Sequence, residues 1–446
     1  MSADAPGHPV PGPGVDEDKG ATGAANSSAY DPAGDWQHPL WTSLLPIGRD
    51  EATGGYRRYA FSAAEAACRD WFRAAAADRG LVTETDRNGN LWAWWAPPGA
   101  APGAAPGGPG AVVTGSHLDS VPDGGAFDGP LGVVSAFAAI DLLRERGLVP
   151  VRPLGVAAFV EEEGARFGVA CLGSRLLTGV LTPAAAAGLT DADGIGLPEA
   201  MTAAGFDAAA IGPEPERLDR IAAYVELHIE QGRALEPIGA AIGVAASIWP
   251  HGRWRIDFTG RADHAGTTAL ADRHDPMLPY AATVLAARTA AAGHGGRATI
   301  GRVISEPGGA NAICSAVRCW LDARAPDAVT LDRLTGAILD AAAASAAEHG
   351  VAMTSRRESF TPVVDFDSGL RERVLAALAT HGIDAPVLPT GAGHDAGILA
   401  DRLPTAMLFV RNPTGVSHAP GERAVAADCD AGVRALAAVL EELACR

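Results

Sequence analysis

Several short segments of the sequence place a histidine or a carboxylate beside small residues, a pattern that suits metal-assisted hydrolysis. Residues 115–120 read Gly-Ser-His-Leu-Asp-Ser and carry His117 and, two positions later, Asp119. In an extended chain the two side chains lie on one side, so Asp119 is placed to orient the His117 imidazole. A satisfied polar pair at a strand end is the alternative interpretation of this segment.

A further carboxylate, Asp128, stands among glycines in residues 124–132, which read Gly-Gly-Ala-Phe-Asp-Gly-Pro-Leu-Gly. An aspartate shortly before Pro130 is typical of a helix start, where Asp128 would act as the N-cap. The density of glycine favours close packing of backbone around a ligand. This segment alone is compatible with both interpretations.

Three consecutive glutamates, residues 161–163, follow an apolar run, and His228 and His418 follow two other such runs. Adjacent carboxylates repel one another unless a cation compensates them, although a solvated acidic turn is the commoner outcome. Imidazole and carboxylate groups together suit zinc, manganese or a similar divalent ion. Two ions bridged by one carboxylate such as Asp128 would activate water, and a carboxylate not bound to metal would accept its proton.

The elements that must position these residues alternate between strands and helices. Alternation of this kind predicts an α/β fold with a mostly parallel sheet and flanking helices. Ligands bind such sheets beyond the carboxyl ends of the strands, which is where the histidines and carboxylates stand. The predicted strands carrying them lie at 111–115, 154–160, 221–225 and 405–410, with helices at 132–146 and 430–443.

The middle of the chain departs from this alternation. Its predicted order, β-α-β-β-α-β, is that of a ferredoxin-like split unit, long enough to be an inserted domain. We therefore predict a disordered tail at 1–34, a catalytic metal-binding domain at 35–238 and 359–446, and a lid and dimerisation domain at 239–358. The predicted elements of the inserted unit are strands 253–260, 298–305, 316–324 and 351–356 and helices 276–292 and 330–349.

Composition excludes several classes of protein. The 446 residues are 48% hydrophobic and 20% charged, with a net charge of −18, which argues against nucleic acid and anionic membrane surfaces as partners. No segment resembles a signal peptide or a membrane span, so a cytoplasmic location is expected. The six cysteines form no C-x-x-C pair and are expected to be free thiols.

At these segments the sequence resembles the dinuclear metallohydrolases of the aminoacylase and carboxypeptidase type, which have a zinc-peptidase-like fold. Within them it is similar to the branch of allantoate amidohydrolases, N-carbamoyl-L-amino-acid hydrolases and β-ureidopropionases. The motifs that carry the resemblance are Glu-Glu-Gly-Ala-Arg-Phe, Glu-Gln-Gly and His-Ala-Gly-Thr-Thr, and it runs from about Trp41 to the C-terminus. The resemblance implies two divalent ions per subunit, Zn²⁺ or Mn²⁺.

The resemblance also implies roles for individual residues. His117 and His228 would bind different ions, Asp128 would bridge them, and Glu163 and His418 would complete the ligand set. Glu162 would be the general base, with Asp119 beside His117.

On the substrate side, the resemblance implies that the histidine of the His-Ala-Gly-Thr-Thr motif, His264, reaches the active site of a partner subunit in a homodimer. Arg324 would clamp a carboxylate of a small substrate. Asn311, Gln231 and His394 match further substrate-binding positions. The sequence departs from the family pattern at Ala269-Leu270 and at residues 249–254, both in the predicted lid.

The expected activity is hydrolysis of a ureido or carbamoyl carbon–nitrogen bond, in allantoate or an N-carbamoyl-L-amino acid, with release of ammonia and carbon dioxide. Two alternatives remain open. The first is an enzyme of the same fold acting on N-acyl or N-formyl amino acids or on dipeptides. The second is a binding module that has lost its metals, which the intact set of candidate ligands disfavours.

Overall fold

The structure is a computed structural model of the chain, and it describes residues 35–99 and 107–446. The predicted tail at 1–34 lies outside these residues. The strands, in chain order, are β1 Val82–Thr85, β2 Leu91–Trp95, β3 Ala111–His117, β4 Leu154–Phe159, β5 Ile221–Ile229, β6 Ile242–Ile248, β7 His251–Thr259, β8 Asp263–His264, β9 Arg297–Glu306, β10 Ala312–Ile313, β11 Ala316–Arg324, β12 Ala352–Thr361, β13 Val364–Asp365, β14 Val387–Thr390 and β15 Thr405–Val410.

Helices cover the sheets and connect their strands. In chain order they are α1 Pro39–Leu44, α2 Ala63–Asp78, α3 Pro130–Glu145, α4 Leu172–Thr178, α5 Pro183–Ala187, α6 Leu197–Ala203, α7 Pro215–Leu218, α8 Leu235–Ile238, α9 Met277–His294, α10 Ala328–Glu348, α11 Ser368–Thr380, α12 Asp395–Leu399 and α13 Ala426–Ala444. Within the described residues, no helix is both long and apolar enough to cross a bilayer.

The larger sheet has nine described strands in the order β1-β2-β4-β3-β5-β15-β6-β13, with β14 also paired to β6. Its central strands β4, β3, β5 and β15 are parallel, so their carboxyl ends meet at one edge. These strands are buried almost throughout, as expected for a parallel sheet with helices on its faces. The prediction of a mostly parallel sheet with flanking helices is therefore confirmed.

The second sheet is antiparallel, in the order β12-β7-β11-β9, and α9 and α10 pack against one of its faces. Its elements follow one another in the predicted β-α-β-β-α-β order. Burial alternates strictly along β11, because one face meets the helices and the other does not. That second face matters for the substrate side of the site.

Two strands lie across the predicted boundaries of the inserted unit. Its start was placed at residue 239, but β6 belongs to the larger sheet, where it pairs with β15. Its end was placed at 358, but β12 continues to Thr361. The apolar run of β6 buries its side chains best in the core of the larger sheet, which the chain leaves only after Ile248. That the larger sheet forms a catalytic domain and the inserted unit a lid remains a prediction.

The thiol prediction is confirmed for the described residues. All six cysteines are free, and five of them are buried, Cys445 being intermediate.

Candidate dinuclear metal centre

Two histidines at the carboxyl edge of the larger sheet face a single carboxylate oxygen. His117 ends β3 and His228 is the eighth residue of β5, and their Nε2 atoms lie 3.5 and 3.2 Å from Oδ1 of Asp128. Both Nε2 atoms are buried and lack a hydrogen-bond partner among the described residues. Buried polar atoms are normally paired, so two bare nitrogens beside one carboxylate fit a metal ion.

The other oxygen of Asp128 faces a different pair of residues. Nε2 of His418 lies 3.4 Å from Oδ2 of Asp128 and 3.5 Å from Oε2 of Glu163. Among the described residues the candidate ligand atoms form three groups, and two of these share Asp128, one with His117 and His228 and one with Glu163 and His418. The third group consists of Glu226, His228 and His394 and does not include Asp128.

This grouping corrects one implication of the resemblance. His117 and His228 were expected on different ions, yet both face the same oxygen of Asp128. The reason lies in the sheet, since β3 and β5 are adjacent parallel strands and bring the two rings to 5.8 Å from each other. His418 comes from the loop after β15 and approaches from the other side of Asp128.

Backbone carbonyls set the orientation of both buried imidazoles. Nδ1 of His117 lies 3.1 Å from the carbonyl oxygen of Asp119, and Nδ1 of His228 lies 2.9 Å from that of Ile229. A carbonyl oxygen can only accept, so each Nδ1 carries a proton, and Nε2 is the nitrogen left to bind a metal ion beside Asp128.

Asp128 is free to face the histidines because it does not cap α3. The N-cap is Gly129, whose φ is +84° and which makes no side-chain cap bond, with Pro130 next. The N-cap interpretation of Asp128 was therefore wrong. A Cβ at Gly129 would lie 2.4 Å from the His117 ring, so glycine is required both by the backbone and by the space.

The three consecutive glutamates point in different directions. Glu161 has a φ of +56°, and its Oε1 accepts the backbone N–H groups of Arg166 and Phe167. The N–H groups of Glu162 and Glu163 donate to the two carboxylate oxygens of Asp119. Asp119 therefore holds both the His117 imidazole and the turn that carries the other two carboxylates.

Glu162 lies beside the first group without belonging to either. Its Oε2 is 3.8 Å from Nε2 of His117, and its Oε1 accepts the Cys171 thiol at 3.3 Å. Burial, together with the Asp128 charge, raises the pKa of Glu163 to about 9, and burial also raises the pKa of Glu162 well above its usual value. Carboxylates this deeply buried are costly to ionise unless cations lie among them, which again fits a metal centre.

Sequence reasoning missed Glu422, which ties the two ligand loops together. Glu422 is buried, and its Oε2 accepts the backbone N–H groups of Phe127 and Asp128 at 2.9 and 3.0 Å. It stands four residues after His418 in the same loop, and an acidic residue so close to a candidate ligand was the available signal.

We expect Glu422→Ala to weaken metal binding about 10–100-fold, as losses of residues that orient ligands typically do. The change removes the acceptor that holds the Asp128 backbone. Dissociation constants for Zn²⁺ and Mn²⁺ are the measurement. Glu422→Gln keeps a carbonyl acceptor and is the matched control. Equal weakening in both variants would indicate that the charge of Glu422, rather than its hydrogen bonds, supports the site.

Two predicted substrate residues lie against the ligand groups. Nε2 of Gln231 donates to Oδ2 of Asp128 at 2.6 Å and lies 3.3 Å from Nε2 of His418. His394 is buried, with its ring centroid 4.5 Å from that of His228.

The remaining predicted substrate residues lie on the second sheet or beside it. Arg324 ends β11, and its Nη1 donates to the carbonyl oxygen of Gly391 at 2.6 Å, in the loop that leads to His394. His264 and Asn311 are exposed at a small two-stranded ribbon formed by β8 and β10. Within the described part of the chain, no hydrogen bond or ion pair joins either of them to the ligand groups.

A mostly parallel sheet with histidines and carboxylates gathered at its carboxyl edge is the arrangement expected of a metal-dependent hydrolase. Residues 113–442 match the family model described as Peptidase family M20/M25/M40, so the chain belongs to this family. The resemblance drawn from the motifs is confirmed.

Similar proteins extend over nearly the whole chain. An N-carbamoyl-L-amino acid amidohydrolase of Geobacillus stearothermophilus is 36% identical over 91% of this chain and 98% of its own. An allantoate amidohydrolase of Escherichia coli (strain K12) is 32% identical over 90% of this chain and 96% of its own. The crystal structure of a hydantoinase/carbamoylase family amidase from Burkholderia ambifaria aligns with a TM-score of 0.76 at 35% identity, covering 90% of this chain and 96% of that one.

Proposed function

We propose that this protein is a metal-dependent amidohydrolase that cleaves the ureido or carbamoyl carbon–nitrogen bond of allantoate or an N-carbamoyl-L-amino acid. The observation that carries the proposal is the placement of the Asp128 carboxylate. Its two oxygens face two different sets of candidate ligands, and Glu162 belongs to neither set. The names of the similar proteins supply the bond class, since they act on allantoate and on N-carbamoyl-L-amino acids.

Two divalent ions, Zn²⁺ or Mn²⁺, would be held by the five side chains of the two groups. Bound there, such ions supply Lewis acidity and lower the pKa of water. The ligands are His117, Asp128, Glu163, His228 and His418. Asp119 keeps His117 and the Glu162 turn in place.

Glu162 is the base in this proposal. Its carboxylate is held at one oxygen by the Cys171 thiol, and its other oxygen faces the first group. It accepts a proton from the attacking water and returns it to the leaving nitrogen. Carbamate formed by loss of ammonia then breaks down to carbon dioxide, leaving an amine on the product.

Arg324 binds the substrate carboxylate and so fixes the scissile bond relative to the ligand groups. Gln231 and His394 contact the ureido portion, because they lie directly against Asp128 and His228.

A substrate panel tests the proposal. The purified chain, loaded with Zn²⁺ or Mn²⁺, is assayed for product amine with allantoate, an N-carbamoyl-L-amino acid, an N-formyl amino acid, an N-acyl amino acid and a dipeptide. Ureido and carbamoyl substrates are expected to be cleaved fastest. Faster cleavage of the formyl, acyl or peptide bond would overturn the assignment and support the alternative activity of the same fold.

We further propose a homodimer in which His264 and Asn311 serve the partner's site and stabilise the oxyanion. The support is twofold. Both residues are exposed and carry no contact to their own ligand groups within the described residues. The adjoining helix α9 exposes Met277, Leu278 and Leu285, and apolar side chains on a helix face favour burial against a second copy.

Subunit complementation tests shared sites. Inactive Glu162→Gln chains are mixed with inactive His264→Ala chains after dissociation, and activity is measured per mixed dimer. A mixed dimer contains one site with both residues intact, so activity about half that of the wild-type dimer is expected. Confirmed mixed dimers without recovered activity would mean that each chain completes its own site.

A further inference from the structure

A row of three basic side chains crosses the open face of the second sheet beside Arg324. In the antiparallel ladders, Arg324 of β11 is directly opposite His251 of β7 on one side and Arg297 of β9 on the other. Directly opposite residues project from the same face of a sheet. Because Arg324 donates to Gly391, this face looks toward the loop that leads to His394.

Trp249 lies at one end of this row of side chains, just before β7 begins. Its backbone N–H donates to the carbonyl oxygen of Thr390 at 2.8 Å, and its ring lies 4.0 Å from where a Cβ of Gly391 would be. The guanidinium carbon of Arg297 lies 6.0 Å from the centre of the Trp249 ring. Trp249 and Arg324 therefore meet at Gly391, and His251 and Arg297 lie beside Trp249.

The row has more positive than negative charge, in a chain whose net charge is −18. The next row along the face contains Arg253 opposite Asp322, and Asp322 also pairs with Arg324. Arg253 and Arg324 thus share one carboxylate, and no ion pair among the described residues neutralises Arg297. A surplus of this kind attracts an anion, and the substrate carboxylate at Arg324 provides it.

His251 adds a hydrogen-bond acceptor to these donors. Its Nδ1 lies 3.2 Å from the carbonyl oxygen of Trp249, which can only accept, so Nδ1 carries the proton and Nε2 has the free lone pair. Burial, together with the nearby Arg324 charge, lowers the pKa of His251, which keeps the ring neutral.

We infer that Trp249, His251 and Arg297 form a specificity subsite for a ureido or carboxamide substituent on the carbon that bears the substrate carboxylate. Such a group is planar, with N–H donors and a carbonyl acceptor. His251 accepts from the N–H, Arg297 donates to the carbonyl, and the Trp249 ring covers the plane. An aliphatic side chain would leave these polar groups unpaired, which sites built on hydrogen bonds reject strongly.

The subsite and the ligand groups are separated by a distance that one small substrate can span. Gly391 and His394 are three residues apart, so their Cα atoms lie within about 11 Å of each other. The ring of His394 is 4.5 Å from that of His228. This inference rests on the proposed function and chooses among its substrates. It favours a carboxylate that carries two ureido groups, as allantoate does, over N-carbamoyl derivatives of aliphatic amino acids.

The test compares two substrates in three proteins. kcat/KM is measured for allantoate and N-carbamoyl-L-leucine in the wild type, in His251→Leu and in His274→Leu. His274 is the matched control, since its Nδ1 also bonds a backbone carbonyl on the same unit, that of Gly350, away from the row. His251→Leu is expected to lower kcat/KM for allantoate about 10–100-fold and to change that for N-carbamoyl-L-leucine less than about threefold.

Binding separates this inference from the proposed function. In Glu162→Gln protein, calorimetric dissociation constants for both compounds and for N-carbamoyl-L-aspartate report recognition without turnover. The subsite is supported if allantoate binds most tightly and if adding the His251→Leu change abolishes this preference. This conclusion holds even if the wild type hydrolyses neither ureido compound, because that result would contradict only the proposed function. Equal binding of allantoate and N-carbamoyl-L-leucine overturns the subsite. Preference for the aspartate derivative also overturns it, because the row would then bind a second anion.

Discussion

Replacing Glu162 with glutamine is expected to lower kcat by about 10²–10⁴-fold or more, the usual cost of losing a general base, while the metal content stays unchanged. Glutamine has the shape of glutamate but cannot accept a proton at this position. Neither ligand group uses Glu162, so the candidate metal ligands keep their places. Turnover with allantoate and metal content by mass spectrometry of the purified variant are the two measurements.

Glu161→Gln is the matched control for this experiment. Glu161 is adjacent and also buried, but its carboxylate accepts backbone N–H groups from Arg166 and Phe167, a role that an amide oxygen can perform. Turnover of the control is expected to stay within about threefold of wild type, because no proton transfer depends on it. If instead Glu162→Gln loses metal, Glu162 is a ligand and the roles in this turn move by one residue.

The surroundings of Glu162 show why its role could be predicted only from the family resemblance and not from the residue pattern itself. Periodicity and spacing indicate that three carboxylates follow β4, but not which one points where. The positive φ of Glu161 and the two hydrogen bonds from the turn to Asp119 separate them. Such a φ is seldom predictable for a non-glycine residue, since long-range contacts impose it.

The sheet edge itself was predictable. Parallel strands must end at the same edge, so apolar runs followed by His117, Glu163 and His228 are sufficient to bring these side chains together. The pairing of the histidines was not predictable in this way. Which of them share an oxygen of Asp128 depends on the neighbouring positions of β3 and β5, and strand order is a tertiary property.

The place of β6 in the larger sheet, beyond the boundary predicted at residue 239, has a similar origin. The run Ile242–Ile248 is apolar enough for either sheet, and its pairing with β15 depends on a strand more than 150 residues later. Glu422 was missed for the same reason, since its hydrogen-bond partners, Phe127 and Asp128, are 295 and 294 residues away along the chain.

Replacing Asp128 with alanine is expected to abolish binding of both ions and to reduce turnover below detection. Each oxygen of Asp128 faces a different group, so one substitution removes a ligand from each. It also leaves the imidazoles of His117 and His228 buried without their shared carboxylate. A protein ligand set cut from three to two at both positions no longer supplies the number of donors that zinc sites use.

His418→Ala separates the two groups and makes the result interpretable. It removes a ligand only from the group that contains Glu163, so the group of His117, His228 and Asp128 is expected to keep its ion. Metal per subunit, measured after gel filtration, should therefore fall from about two in the wild type to about one in His418→Ala and about zero in Asp128→Ala. Thermal unfolding without added metal verifies that both variants are folded. One ion retained by Asp128→Ala would show that Asp128 belongs to a single group, and the bridging role would then be lost.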